Sequence, residues 1–316
     1  MILNQARDIL CDINKRNEYI TNLLQDESED YTIQNSSTGH STNPNEIQTS
    51  GIPSEAAIQQ IIDPVEIDIP SEMVLIPSGV FLAGLQDKKI NESETSSHNV
   101  YLNGFLIDKY PVTNSEFSVF LSENELWQKY NISKKYNSGK YLSSWNGNSY
   151  PKNKGDDPVV GVSWYAAMAY AKWIEKRLPT DIEWEKAARG GLTEKTYPWG
   201  EDITNNLANY GMRVGSTTPV GTYPPNEYGV YDIVGNVWEW CLNQYQENSA
   251  NSKPNISIQE ISDIIDSYLE IESDRVLRGG SWASSEQALS VGYRGFATPN
   301  ITYYSYGFRC VKDIHS

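Results

Sequence analysis

From Met73 onward the chain never holds one hydrophobic period for long. Runs such as "MVLIPSGVFLAG" and "HNVYLNGFLIDKYPVT" are short, apolar and cut by Pro-Ser-Gly or Asn-Gly. That pattern predicts brief strands joined by tight turns. Helix starts are few and explicit. Thr113 is followed three residues on by Glu116, and Thr180 by Glu183, each a capping box in which hydroxyl and carboxylate satisfy orphan amide donors. Ser163 can cap "WYAAMAYAKWIEKR", whose alanines permit close packing beneath Trp164 and Trp173. Further short strands are expected in "VYDIVGNVWEW", "RVLRGGSW" and "YGFRCVKD". Few helices among many turns imply an α+β domain with much irregular structure.

Residues 1–30 differ. Ile2, Leu3, Ala6, Leu10, Ile13, Ile20, Leu23 and Leu24 recur at helical spacing and predict an amphipathic helix that docks on a partner or self-associates. Residues 31–71 are rich in Ser, Thr and Asn, poor in large apolar residues, and read as a flexible acidic linker. Residues 72–316 are then the folded domain, and 9 Trp and 21 Tyr in the chain supply an ample core. The net charge is −16, most of it from residues 1–72, which carry 13 acidic and 3 basic side chains. An acidic chain with no basic stripe repels phosphate backbones, which argues against a nucleic-acid partner. No apolar run reaches the length of a membrane span, and the N-terminus lacks a compact apolar signal core, so a cytoplasmic location is expected. Cys11, Cys241 and Cys310 have neither zinc nor disulfide spacing and read as incidental or buried thiols.

The ordered segments "MVLIPSGVFLAG", "YPVTNSEF", "PVVGVSWYAAMAYAKWIEKRLPTDIEWEKAARGG", "YPWG", "PPNEYGVYDIVGNVWEW", "RVLRGGSW" and "YGFRC" resemble, in order, the formylglycine-generating-enzyme (sulfatase-modifying factor) domain over roughly residues 72–313. The resemblance implies an α+β, C-type-lectin-like fold. The family's oxidase chemistry uses two copper-binding cysteines five residues apart after Gly-Gly-Ser-(Trp/Tyr). Here those positions are Ser284 and Leu289, and a leucine ligates nothing. A second branch of the family holds iron with a histidine triad. This chain has only His40, His98 and His315, widely scattered, so neither copper nor iron is expected. The resemblance also implies a structural calcium site at Asp232, Gly235, Val237 and Glu239, where two carboxylates and two carbonyls suit a hard cation. The family's other calcium site pairs Asn209 with a downstream Asp, which "MRVGSTTPVG" lacks. Glu183, Glu185 and Arg189 share a helix and read as a surface ion-pair group.

Between the anchors "RGGSW" and "YGFRC" the residues 295–306 carry no charge and several aromatics. Tyr, Ser, Gly and Ala are what adaptable paratopes use. A fold kept without its metal ligands reads as a binding module, with its contact surface in 283–306. The candidate contacts are Ala283, Ser284, Ser285 and Ala288, then Gly295, Phe296, Ala297 and Thr298, then Ile301, Tyr303, Tyr304, Ser305 and Tyr306. The layout resembles the variable proteins of diversity-generating retroelements, in which adenine-directed mutagenesis rewrites Asn codons. Such mutagenesis cannot reach Lys, Glu, Gln, Met or Trp, and none of these five lies in 295–306. Glu286 and Gln287 would then be framework. Phe296, Tyr303, Tyr304 and Tyr306 are expected to form one exposed face, anchored by buried Arg278, Trp282, Arg294 and Arg309. The alternative is an oxidoreductase of the family, or an enzyme-associated member of it, with a site that these motifs do not reveal.

Overall fold

A computed structural model describes residues 68–84, 97–246 and 257–314. The helix expected in 1–30 and nearly all of the linker lie outside these residues, as does Cys11.

Nine short strands are interleaved with four helices among the described residues. β1 (Met73–Ile76), β4 (Phe105–Asp108) and β9 (Val311–Asp313) make an antiparallel sheet in the order β1-β4-β9. β2 (Gly79–Ala83) and β3 (His98–Leu102) form a separate hairpin. The third sheet runs β7-β6-β5-β8, from β7 (Gly295–Ala297), β6 (Arg275–Arg278), β5 (Trp238–Gln244) and β8 (Tyr306–Gly307). β5 pairs parallel with β8, and β6 pairs antiparallel with both β5 and β7.

Both capping boxes form. Thr113 starts α1 (Asn114–Glu123), which buries Phe117, Phe120 and Leu121, and Thr180 starts α3 (Asp181–Arg189). Ser163 caps α2 (Trp164–Trp173), buried on nearly every side because its alanines let neighbours approach closely. α2 stops four residues before the expected end at Arg177. Glu175 turns left-handed (φ 56°) and Arg177 leaves to bridge with Val311. The segment 230–237, expected as strand, is a chain of turns with left-handed φ at Asp232, Gly235 and Asn236. α4 (Ile258–Ser267) adds a helix to those expected, started by a third capping box, Ser257 with Glu260.

The third sheet divides two hydrophobic cores. Period-2 alternation sends Trp240 and Leu242 of β5 into one, beside Phe117, Phe120, Trp164 and Phe308. Cys241 points the other way, joining Trp184, Ile233, Val276 and Leu289. Val276 and Leu277 of β6 divide in the same manner. Cys241 and Cys310 are buried free thiols, and burial pushes both well above the usual thiol range, so neither supplies a thiolate near neutral pH.

Candidate functional site

The segment after β6 begins with two glycines that no other residue can replace cheaply. Gly279 and Gly280 have φ of 89° and 70°. A Cβ on Gly279 would lie 2.7 Å from the Ile233 carbonyl, and one on Gly280 would lie 2.9 Å from that of Ala288. The tight reversal turns Trp282 to Ser284 outward, where the backbone is bolted in place. Trp282 donates its amide to the Asn236 carbonyl at 3.0 Å, and the Trp282 and Ser284 carbonyls accept from Met212 and Gly211 at 2.8 and 3.0 Å. Ser284 sits 3.2 Å from Ser281, hydroxyl to hydroxyl, and accepts the Ser281 amide at 3.0 Å. Leu289 is wholly buried in the second core. One residue of the thiolate position pair is thus tied in a serine network and the other is core.

Residues 298–306 are equally fixed. The Pro299 and Tyr303 carbonyls accept amides from Trp164 and Gly161, both at 3.0 Å, and the Ser305 carbonyl accepts from Trp238 at 2.8 Å. Thr302 is buried and hydrogen-bonded to Ser138 through amide and hydroxyl, at 3.0 and 2.8 Å. From this scaffold a ladder of rings climbs out of the first core. Trp240 meets Tyr306 at 5.5 Å, Tyr306 meets Tyr303 at 5.3 Å, Tyr303 meets Tyr304 at 4.2 Å, and Tyr304 meets Trp282 at 5.5 Å. Tyr303 and Tyr304 are 40% and 47% exposed, and their hydroxyls hydrogen-bond at 3.3 Å. Aromatic pairs at these separations add favourable energy beyond the area they bury, so the outer rings are held without needing to be core.

The expected contact set is brought together only in part. Ala283, Ser284, Ala288 and Ile301 are half-buried, and Ser285 and Thr298 are exposed. Ser305 is buried, because the β5–β8 junction needs its carbonyl inward, so it is no contact residue. Tyr306 is half-buried against the first core. Phe296 is 53% exposed but belongs elsewhere. It pairs in register with Val276 of the second core and stacks on Tyr245 at 4.3 Å, while its neighbours Gly295 and Ala297 take the opposite face. The expected single face of four aromatics is therefore Tyr303, Tyr304 and the rim of Tyr306, joined by Trp282. Trp282, expected as a buried anchor, is only half-buried and meets Tyr304 at the edge of that face.

Arg278 and Arg309 do anchor. Arg309 grips Glu239 with two hydrogen bonds of 2.7 and 2.8 Å, both side chains fully buried, and also donates to the carbonyls of Asp108, Lys109 and Tyr231. Arg278 meets Glu185 at 2.6 Å, and the other Glu185 oxygen accepts from Arg189 at 2.6 Å. Glu185 is thus no surface residue. Burial works to raise its carboxyl, but Arg278 and Arg189 outweigh it and hold the group low. β2 and β6 cover α3, which a helical spacing in sequence cannot show.

In the expected calcium set, both Glu239 oxygens are already engaged, Oε2 accepting from Arg309 and from Trp184 at 2.8 Å. Asp232 is buried and accepts the Gly221 amide at 2.7 Å through Oδ2. Among the described residues Oδ1 has no donor. Burial pushes the Asp232 carboxyl up to about 6 from 3.8, against the Gly221 amide and the Arg309 charge, which pull it down, and with a smaller push from the nearby Glu239. A raised carboxyl favours the protonated form in the fold, so its charge penalises folding as pH rises through about 6 and costs nothing below about 4. Asp232→Asn keeps the acceptor for Gly221. With chelator present it should raise stability on the order of 2 kcal/mol at pH 7.5 and leave it unchanged at pH 4. Urea titrations at the two pH values check this, and an equal effect at both would refute it.

The sulfatase-modifying factor enzyme 1-like domain profile matches residues 59–314. Serine/threonine-protein kinase pkn1 of Chlamydia caviae is 37% identical over 262 residues, which cover 77% of this chain and 38% of that protein. The chain thus spans well under half the length of that relative. Formylglycine-generating enzyme of Thermomonospora curvata is 32% identical, with 78% and 95% covered. Inactive C-alpha-formylglycine-generating enzyme 2 of Bos taurus is 31% identical, with 76% and 87% covered. The solved structure of Treponema denticola variable protein 1 superposes with a TM-score of 0.55 and 25% identity, covering 76% of this chain and 94% of that one. Relatives named as active and as inactive enzymes thus share one scaffold with a variable protein. By profile, identity and the C-type-lectin-like architecture of its strands and caps, the chain belongs to the sulfatase-modifying factor enzyme 1-like domain family.

Proposed function

We propose that this chain is a non-catalytic binding module whose ligand, a protein, seats on the Trp282–Tyr304–Tyr303 face. The observation that carries the reading is the mounting of that face: two exposed tyrosines and a half-buried tryptophan on loops whose backbone is fixed by hydrogen bonds. Pre-organised aromatic contact area binds at low entropic cost. The positions the family uses for copper thiolates support the same reading, since a buried leucine and a hydrogen-bonded serine offer no soft ligand. Incubated with copper and a cysteine-containing sulfatase peptide, the protein should consume no oxygen. Turnover would overturn the reading in favour of an oxidoreductase.

The resemblance to retroelement variable proteins makes diversification of the 295–306 loop part of the proposal. Sequencing the flanking DNA tests it: a reverse-transcriptase gene beside an Asn-codon-rich template repeat would support it, and unvarying coding across strains would count against it. Ser305 and Thr302, being buried, should vary least.

A structural calcium ion is a further part of the proposal. Asp232, whose Oδ2 accepts the Gly221 amide, would hold it through its carboxylate, with the carbonyls of Gly235 and Val237 and the remaining lone pair of Glu239. The ion would neutralise the buried carboxylate. Millimolar calcium at pH 7.5 should raise the melting temperature of the native protein by several degrees and leave Asp232→Asn unmoved. No rise in the native protein means that Arg309 alone organises this segment.

A further inference from the structure

The stretch Gly-Met-Arg-Val-Gly, residues 211–215, lacks the aspartate of the family's second calcium site, and its geometry suits another task. Gly211, Met212 and Gly215 are all left-handed, with φ of 66°, 59° and 78°. A Cβ on either glycine would meet nothing within 4 Å. Backbone conformation rather than crowding therefore selects glycine at both ends, and the tip stands clear of its surroundings. Met212 adopts the same conformation with a full side chain, which persists only where neighbouring structure imposes it. The neighbours are the face already described, since the Met212 and Gly211 amides bond to the carbonyls of Trp282 and Ser284.

What the tip presents is unusual for an acidic protein. Met212 is 63% exposed and Val214 52%, with an exposed arginine between them. Arg213 makes no ion pair among the described residues, in a chain of net charge −16. An exposed guanidinium between two exposed apolar residues, on a turn whose backbone is bonded to the Trp282 and Ser284 carbonyls, is a complementary outline: its planar fork can donate to a carboxylate while the flanking side chains offer apolar contact. Methionine adapts its shape to varied apolar partners.

We propose that Met212, Arg213 and Val214 complete the ligand face, and that its occupant is a peptide segment of a partner protein carrying Asp or Glu beside an aromatic or aliphatic residue. This inference rests on the binding reading above. In that arrangement a fixed tip supplies the charge, and the Tyr303–Tyr304 loop supplies the selective surface.

The test uses the full chain and a phage-displayed library of random linear peptides. The native protein should enrich peptides that join an acidic to an apolar residue. A selected peptide should bind Arg213→Glu at least about tenfold more weakly, and Met212→Ser weakly as well. Arg213→Lys should restore much of the affinity, and added salt should reduce it. The melting temperatures of these variants should match the native value, separating lost contact from lost fold. Peptides that need Tyr304 but bind Arg213→Glu unchanged would overturn this inference and leave the binding reading standing. Peptides indifferent to Tyr304, Trp282 and Arg213 alike would remove both. A native protein that enriches no peptides overturns the peptide occupant.

Discussion

Replacing Arg309 with methionine should cost on the order of 3–5 kcal/mol of folding stability, among the largest effects of any single substitution here. Arg309 and Glu239 are both fully buried, and the guanidinium also satisfies three carbonyls from β4, the residue after it, and the 230–237 turns. Removing it strands a carboxylate and three acceptors without water to replace the donors. Glu239→Gln alone should be severe for the same reason, leaving a cation in the core. The double variant Arg309→Met with Glu239→Gln should recover a measurable part of the sum, because the two losses share one cause. Urea denaturation of the single and double variants gives the coupling directly. Additive losses would mean that the pair is not a unit.

The second large effect separates core from contact along one ladder of rings. Trp240→Ala should cost about 3–5 kcal/mol, since its ring is wholly buried in the first core and its indole N–H donates to the Val162 carbonyl at 3.1 Å. Tyr304→Ala, two rings further out than Tyr306, should cost under about 1 kcal/mol of stability. Its loss should appear instead in ligand affinity, at roughly 2 kcal/mol for a central contact. Tyr306→Ala should fall between them on both measures, because it is half-buried against that core. Thermal melts alongside peptide binding distinguish the outcomes. If Tyr304→Ala melts as early as Trp240→Ala, the outer rings are core, and the ligand face is lost with them.

Much of this architecture was legible before any coordinates. Thr113–Glu116 and Thr180–Glu183 predicted two helix starts to the residue, because a capping box is a local arrangement of side chain and backbone within one turn. Ser257–Glu260 carries the same signal and starts α4. The short strands flanking Pro-Ser-Gly and Asn-Gly formed where expected for a similar reason. The incapacity of Leu289 as a metal ligand needed no structure at all.

Other features depended on long-range packing. Phe296 and Tyr303 are close in sequence and chemically alike, yet strand register sends one toward Tyr245 and the second core and the other into the Trp282 ladder. Glu185 looked like a surface partner of Arg189 until β2 and β6 covered it and Arg278 arrived from 93 residues away. The 211–215 turn is tied to the Trp282–Ser284 segment by two backbone hydrogen bonds, from Gly211 and Met212, to residues some seventy positions downstream. Caps, turns and the chemistry of a side chain are decided within a few residues, so the sequence alone determined the helix starts, the strand punctuation and the missing thiolates. Which face a ring takes, which carboxylate is buried and which loop lies against the Trp282–Ser284 backbone depend on contacts between distant segments. Those were settled only when the tertiary structure brought them together.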